Sequence, residues 1–460
     1  MAIPNATAQN VNLEKSSGDG AIPVFTDTYD DAEFCADGKG DRPCDIAPVD
    51  VPEFDASFVY RFLAYHAQRP FDRFSWQAFT ALMAPIDYST DTARWERFST
   101  RRELFAKQST PNPACRDDLP DGHLLLATDR QSTGDPLIDQ AGNFVLFETR
   151  INPVAARYIT ENHLQTAVGR AAFAQSGRQI EFPIGQLAPS AIEVGEKQEM
   201  GIAPAAPGDM GAQLLKFAWR ILPENDVSNS KQYLVRSARI SLSGDQTLDG
   251  VAKCLDVTVG LVGMHLAQRV KSGNGDRWIW SSFEHIDNVP LAANTRRPNS
   301  IITDDPFKGG CLAPGVQDKD FAFYGGHEPG GDQANQPISA PLKWADRPPY
   351  ARTVAGDQPT PPDIVRCWRL FSGTAESNFI WQRKLGGTVL SHYMLLGTQW
   401  IGNPGGAPFG VGEVPRFLTN STLESFMQDQ SDATCLGCHA RAMTDAGQNA
   451  NFTFLFDPSH

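Results

Sequence analysis

The residues of this chain best suited to chemistry are Cys435, Cys438 and His439, which form the sequence Cys-Leu-Gly-Cys-His near its C-terminal end. Two thiols three positions apart can each add to one vinyl group of a single porphyrin, and the histidine that follows them can ligate its iron. The spacing therefore predicts one covalently attached haem (haem c), held by Cys435 and Cys438, with His439 as the proximal ligand of the iron.

Two other kinds of site use cysteines at this spacing. A structural zinc site needs four ligands, usually with a second pair of cysteines or a Cys/His pair. This motif supplies three, and the next cysteine upstream is Cys367. A dithiol redox pair belongs at a strand-to-helix junction within a βαβ unit, whereas a short, mostly polar tail follows this motif. Both alternatives stay open, and haem attachment is favoured over them.

The motif resembles that of c-type cytochromes, over the five residues 435–439. Longer strings, FSWQAFTALMAP, GLVGMHL and WIWSSFEHIDN, look like those of a group of large, poorly characterised bacterial secreted proteins that end in a single CxxCH. The resemblance implies a periplasmic or secreted protein, because haem is attached outside the bacterial cytoplasm in such systems. The opening MAIPNATAQN lacks the charged region and apolar run of a signal peptide, so we expect residue 1 to be a replacement start on a mature chain.

Composition and charge limit the partners that the protein can have. The net charge is −14, and nucleic acids or anionic membranes need a basic face that neutralises phosphates, so neither is expected as a partner. No apolar stretch approaches the roughly 18 residues of a transmembrane helix, so no membrane span is expected. The hydrophobic fraction of 41% is enough for a substantial core.

Six cysteines lie outside the motif and allow three disulfides, which would persist in an oxidising compartment. One pair is predicted, because Cys35 and Cys44 flank the polar stretch ADGKGDRP, whose glycines let the chain turn back on itself. Buried free thiols are the alternative, above all for Cys254 and Cys367.

A haem held from one side has a second axial position, for which the sequence offers several ligands. Met394 and His392 lie two positions apart and share a face if their segment is extended. They are the first candidates for the distal ligand, before His265, His285 or an open position. A methionine suits electron transfer, whereas an open position suits the chemistry of peroxide or small ligands. Arg441, two residues past the motif, is the candidate for binding a haem propionate.

A second group of reactive residues lies on a predicted β-hairpin over 255–288, in which SGNGD forms the turn. Pairing across this turn places His265 opposite Phe283 and brings His265, Glu284 and His285 together near one end. These three are the candidate catalytic residues, as an acid–base pair or a small metal site. Ordinary hydrogen-bonded histidines are the alternative. Adjacent strand residues point to opposite faces, so Glu284 and His285 share a site only if a bulge intervenes.

The elements that must position these residues are of mixed type. Apolar residues at helical spacing predict helices over 59–68, 74–85 and 151–173, and strands are predicted over 144–152 and 177–184. The fold class is therefore α+β: a large mixed body with a long β-hairpin and a C-terminal haem-binding segment.

A small cytochrome c fold is not expected, because its ligating methionine follows the motif by tens of residues and here only 21 residues follow His439. The chain is instead divided into an irregular N-terminal arm over 1–52, a mixed α+β body over 53–290 and a Gly/Pro-rich wrapping segment over 291–365. The C-terminal segment over 366–460 carries the haem motif and is expected to pack on the body as one unit.

Three functional hypotheses follow from these observations. The first is a periplasmic c-type haem redox protein that is an oxidoreductase, with a small-molecule substrate bound in a pocket of the body. The second is an electron-transfer cytochrome that docks to a redox partner protein, and the third is a structural or binding protein with a cytochrome-like tail. Size favours the first hypothesis. A domain of about 100 residues can shield one haem for electron transfer, so the rest of this chain needs another purpose. The chain has no GxSxG, HExxH, GxGxxG or P-loop pattern, which argues against the chemistries these motifs serve.

Overall fold

A computed structural model shows how the chain folds around these residues. The residues it describes are 34–36, 46–51, 64–86, 92–105, 115, 119, 122–126, 134–185, 210–223, 229–271, 277–295, 310–326, 334–400, 415, 417–430 and 433–457. Most of the predicted N-terminal arm therefore lies outside the described residues.

One large sheet forms the frame. Its strands are β1 (Ser99–Thr100), β2 (Leu124–Leu126), β3 (Val145–Ile151), β4 (Gln213–Leu222), β5 (Val235–Leu242), β6 (Lys253–Val270), β7 (Arg277–His285) and β10 (Tyr393–Gln399), while β8 (Leu342–Trp344) and β9 (Ala351–Thr353) form a separate pair. The predicted strand over 144–152 is present as β3. The one predicted over 177–184 is wrong, because that segment is extended without a ladder and its nearest contact of this kind is the isolated bridge between Gly185 and Val270.

β6 is the strand around which the sheet curls. The order along the sheet is β1-β3-β4-β6-β5-β2, with β7 between β6 and β10. β4 follows one edge of β6, whereas β5 pairs with the first part of the other edge and β7 with the last part. All these pairs are antiparallel except β2 with β5.

The predicted hairpin is present as β6 and β7, with a register one residue away from the expected one. His265 pairs with Ser282, so the predicted pairing of His265 with Phe283 is wrong. Phe283 instead pairs with Met264, and both are buried in the main core. A slip of β7 by one residue would turn Phe283 to the opposite face of the sheet, so burial decides the register.

The helices are mostly short: α1 (Ala64–Met83), α2 (Arg101–Phe105), α3 (Pro153–Glu161), α4 (Ala167–Gln175), α5 (Asn229–Gln232), α6 (Ser372–Lys384) and α7 (Cys435–His439). The helix predicted over 151–173 is divided into α3 and α4. Asn152 and Thr166 cap their N-termini by accepting backbone N–H bonds. Between the two helices His163 adopts a φ of +56°, which turns the chain.

α1 and α6 pack against one face of the sheet through large aromatic side chains. The rings of Trp76 and Trp381 are stacked with centroids 5.6 Å apart, and those of Phe79 and Phe283 lie 4.4 Å apart. All four are fully buried. Such rings bury more apolar area than any other residue type, so this face supplies much of the hydrophobic stabilisation.

The opposite face, which we call the motif face, is covered by α3, α4 and the C-terminal residues. Ala155 and Phe173 of the two helices share an apolar cluster with Trp280 of β7 and with Cys435. A two-bond ion pair joins α4 to the C-terminal residues, with Nε and Nη2 of Arg170 at 2.7 and 2.6 Å from the carboxylate of Asp445. The α+β prediction is confirmed, and the fold is not that of a small cytochrome c.

Two disulfides, Cys115–Cys254 and Cys311–Cys367, link distant parts of the described chain. The alternative that Cys254 and Cys367 are free thiols is therefore wrong. Cys35 is also disulfide-bonded, and Cys44, its predicted partner, lies outside the described residues. Disulfides of this kind persist in oxidising compartments. No helix of the described residues is long and apolar enough to cross a membrane.

Candidate functional site

The CxxCH motif forms the single-turn helix α7. Thr434 caps its N-terminus, because its side-chain oxygen accepts a hydrogen bond from the backbone N–H of Gly437 at 2.9 Å. Residues three and four apart on a helix share a face, so Cys435, Cys438 and His439 lie side by side. Neither thiol takes part in a disulfide. The helix therefore presents two reduced thiols and one imidazole together.

The imidazole of His439 is held through one of its two nitrogens. Nδ1 lies 2.8 Å from the backbone carbonyl oxygen of Phe452 and donates to it, since a carbonyl can only accept. This tautomer leaves the lone pair of Nε2 for a metal ion, which is how ligating histidines are usually oriented. Burial lowers the pKa of His439 to about 4, so the ring is neutral at pH 7.

An uncommon backbone conformation aims the Phe452 carbonyl at His439. Asn451 and Phe452 both lie in the left-handed region, with φ of +52° and +65°. A conformation of this kind costs about 1–3 kcal/mol and persists only where the surroundings enforce it. They do so here, because the side-chain oxygen of Asn451 accepts from Nε1 of Trp278 at 3.1 Å and from the Arg269 guanidinium. The one signal in the sequence is Asn451 itself, a residue type that tolerates this region.

Two aromatic rings flank the imidazole of His439. The ring centroid of Trp280 lies 4.2 Å from that of the imidazole, and the centroid of Phe454 lies 5.0 Å away. The indole Nε1 of Trp280 is buried and has no hydrogen-bond partner among the described residues. An unsatisfied buried donor costs about 1–3 kcal/mol, so a bound group with an acceptor oxygen would be stabilised here.

An ionisable pair lies beside the motif on the same face. His265 Nε2 is 3.3 Å from Glu424 Oε2. Burial raises the pKa of Glu424, but the His265 imidazole and the backbone N–H of Asn420 outweigh burial and hold that pKa below its ordinary value. Burial and then the charge of Glu424 raise the pKa of Cys435 well above its usual range, so this thiol is protonated. The pair also acts electrostatically on His439.

Glu284 shares this face but forms a separate, fully occupied cluster. Its carboxylate is completely buried and accepts from the backbone N–H and the hydroxyl of Ser421 at 2.9 and 2.7 Å, and from the Arg366 guanidinium. Every oxygen of Glu284 is thus bound within the protein. The role that these contacts support is structural, because they fasten the segment that carries Glu424 to the sheet.

His285 lies on the other face of β7, so the structure brings His265 and Glu284 to one face and separates His285 from both. The two nitrogens of His285 are used by the backbone: Nε2 lies 3.1 Å from the carbonyl of Gln232, and Nδ1 accepts from the N–H of Asp287 at 3.1 Å. Burial lowers the pKa of His285 to about 4, so it is neutral. No ring nitrogen is left for catalysis or ligation.

The two distal-ligand candidates are also separated. His392 ends a 3₁₀ turn and its ring lies 6.0 Å from that of His285, away from the motif. Met394 is the second residue of β10, pairs with Glu284 and belongs to the buried apolar cluster that contains Cys435. The shared face expected for an extended segment is not formed, and Met394 is the candidate on the motif face. Arg441 follows the motif as an exposed residue.

No protein-family model, curated protein or solved structure matches this chain. Within the described ranges, no group of three or more histidine, cysteine, aspartate and glutamate side chains is arranged to hold a metal ion.

The donor set around α7 fits a covalently attached haem. Attachment needs two reduced thiols and one neutral imidazole nitrogen, and Cys435, Cys438 and His439 supply them from one turn of helix. Met394 is a soft donor on the same face, and the unpartnered indole N–H of Trp280 matches an acceptor such as a propionate oxygen.

Proposed function

We propose that the protein is a c-type haem redox protein of the periplasm or of the secreted fraction, and that it is an oxidoreductase. The observation that carries this proposal is the Nδ1 hydrogen bond from His439 to the Phe452 carbonyl, which orients Nε2 as a metal ligand. A histidine on a protein surface has no need of two left-handed residues to fix its tautomer.

Each residue of the motif would have its own role in binding the haem. Cys435 and Cys438 would hold the porphyrin through two thioether bonds, and His439 would ligate the iron. Met394 would be the distal ligand in an electron carrier, whereas an enzyme would leave that position open, and in either case Trp280 or Arg441 would bind a propionate. When bound, the haem supplies one-electron oxidation and reduction.

The His265–Glu424 pair favours an enzymatic function over electron transfer alone. The two groups are 3.3 Å apart in a largely buried setting, with side chains 10% and 16% exposed. A histidine beside an ionised carboxylate can act as a general acid or base toward a substrate next to the haem site. A carrier needs neither the pair nor a body of this size.

An electron-transfer cytochrome is the second candidate. It is favoured by the partial exposure of Cys438 and His439 and by exposed Arg441, because a redox centre near the surface suits docking to a partner protein. A Met394 ligand would also raise the reduction potential and close the distal position to substrates.

Covalent haem attachment tests the proposal directly. The full chain would be produced with haem-attachment machinery, denatured and stained for haem. We expect stain in the wild type and its loss when both Cys435 and Cys438 are changed to Ser. A colourless wild-type protein, or stain that survives the double change, would refute the proposal.

The optical spectrum then separates the two candidates. A low-spin ferrous spectrum that carbon monoxide leaves unchanged, and that Met394→Leu converts to a high-spin one, means a carrier. A spectrum that carbon monoxide changes in the wild type means an accessible iron and supports the enzyme. His392→Ala is the matched control and should leave either spectrum unchanged, because its ring lies with His285 on the other side.

A further inference from the structure

The side chain of Gln399 joins the end of β10 to the motif helix α7. Its Oε1 accepts a hydrogen bond at 3.2 Å from the backbone N–H of Leu436, which lies between the two cysteines. The first N–H groups of a helix have no partner within it. Thr434 takes the N–H of Gly437 locally, whereas Gln399 takes that of Leu436 from 37 residues away. The motif is thus tied to the sheet by a side chain distant in sequence.

A β-bulge aims Gln399 at the motif. The pairing of β10 with β7 shifts by one residue between Leu395 and Gly397. Regular alternation would place Gln399, four positions from Leu395, on the main-core face to which Leu395 belongs. The bulge changes that order and sets Gln399 opposite Trp280, a residue of the motif face. Bulges beside functional sites re-aim side chains in this way.

The amide of Gln399 is held at its other end as well. Nε2 donates to the backbone carbonyl of Pro415 at 2.8 Å, which leaves Oε1 to face α7. Pro415 can approach because Gly397 has no side chain, and a Cβ there would overlap the proline ring. Gln399 is 1% exposed, so water does not replace either bond. Both polar atoms of this amide therefore have a defined partner.

The partner of Gln399 across the ladder packs on His439. That partner is Trp280, whose ring centroid lies 4.2 Å from the centroid of the His439 imidazole. Two neighbouring residues of the sheet therefore hold α7 at two points, the Leu436 N–H and the His439 ring. A shift of α7 away from Gln399 would also move His439 relative to the Phe452 carbonyl that orients it.

We propose that Gln399 is a positioning residue of the motif, which seats α7 on the sheet and thereby sets the orientation of His439. The seating of α7 holds whatever the motif binds, whereas its effect on a bound haem rests on the proposed function. Without this amide the buried N–H of Leu436 has no acceptor, so α7 opens more often and His439 loses its fixed orientation.

Hydrogen–deuterium exchange of the full-length protein, followed by mass spectrometry, measures the seating of α7. Gln399→Met removes both polar atoms and keeps a side chain of similar length. A peptide over 434–440 should then exchange about tenfold faster, because a buried donor without an acceptor shifts a local equilibrium by about that factor. Gln382→Met is the matched control and should leave this peptide unchanged. Gln382 donates a comparable bond, to the carbonyl of Tyr393 on the same strand.

Gln399→Glu is the rescue variant. Burial favours the protonated form of a carboxyl, which can accept from the Leu436 N–H and donate to the Pro415 carbonyl as the amide does. At a mildly acidic pH of about 5, its peptide should exchange within about twofold of the wild-type rate at the same pH.

The reduction potential is the second readout, in protein that carries haem. A shifted α7 weakens the bond from His439 Nδ1 to the Phe452 carbonyl, so the potential of Gln399→Met should rise while that of Gln382→Met does not change. The proposal is overturned if Gln399→Met exchanges no faster than the wild type, Gln382→Met or Gln399→Glu, or if its potential is that of the wild type. A wild-type protein that attaches no haem would refute the proposed function alone, because the exchange measurement needs no haem.

Discussion

Asn451 offers the sharpest test of the site, because it supports the carbonyl that orients His439. Asn451→Ala removes the acceptor of two buried donors, Trp278 Nε1 and the Arg269 guanidinium. Each unsatisfied donor costs about 1–3 kcal/mol. An alanine at a φ of +52° costs about 1 kcal/mol more than the tolerant asparagine. We therefore expect a loss of about 4 kcal/mol in the free energy of unfolding.

Two further variants separate these contributions. Asn451→Gly relieves the backbone cost but still lacks the acceptor, so it should lose about 3 kcal/mol. Asn451→Asp keeps an acceptor oxygen and tolerance of the left-handed region, and it should stay within about 1 kcal/mol of the wild type. Urea denaturation of the three variants gives the free energies of unfolding.

The reduction potential gives a readout that stability alone would not move. If the Phe452 carbonyl shifts, the hydrogen bond to Nδ1 weakens and His439 becomes a less basic ligand. In the proposed haem protein the oxidised iron would then lose stabilisation, so the potential of the Asn451→Ala protein should rise while that of Asn451→Asp does not. Two results would refute this prediction. One is a free energy of unfolding of Asn451→Ala within about 1 kcal/mol of the wild type, and the other is an equal loss of stability in the aspartate and alanine variants.

Two other predictions concern the frame of the site. Burial raises the pKa of Asp72 from 3.8 to about 6, so its contribution to stability is complete below pH 4 and is lost as the pH rises through 6, by about 3 kcal/mol in all. By urea denaturation, Asp72→Asn should gain stability over the wild type from pH 4 to 7; parallel pH profiles would contradict this. Gly263→Ala brings a Cβ within 2.1 Å of Thr422 Oγ1, so we expect a loss of about 1–3 kcal/mol in the free energy of unfolding. Gly386→Ala, whose nearest atom is 3.1 Å away, is its control, and equal losses in the two would refute the packing argument.

Local sequence patterns predicted the secondary-structure elements that form through local interactions. β3 and the β6–β7 hairpin follow from alternating apolar residues and a strong turn signal, and both are present. A helix was also predicted in this part of the chain, and Asn152 caps the N-terminus of α3. The register of the hairpin could not be predicted from the local pattern. Met264 pairs with Phe283 because both are buried in the main core, under helices that come from other parts of the chain.

The candidate site, too, could be predicted only in part from the sequence. Nothing near His265 in sequence identifies Glu424 as its partner, and the preferred cluster of His265, Glu284 and His285 is split because adjacent strand residues face opposite sides. The hydrogen bond from His439 to the Phe452 carbonyl could not be predicted from the sequence either. The backbone conformation of Phe452 depends on the preceding residue, Asn451, which is held by the side chain of Trp278.

The sequence by itself determined the chemistry that the motif offers, because two thiols and an imidazole within five residues are brought together by a single helical turn whatever surrounds them. Tertiary structure decided everything that surrounds the motif. It placed Met394 on the motif face and His392 away from it, and it set Glu424 beside His265. Contacts between segments far apart in the chain are chosen by burial and packing of the whole core, and no local pattern of residues carries that information.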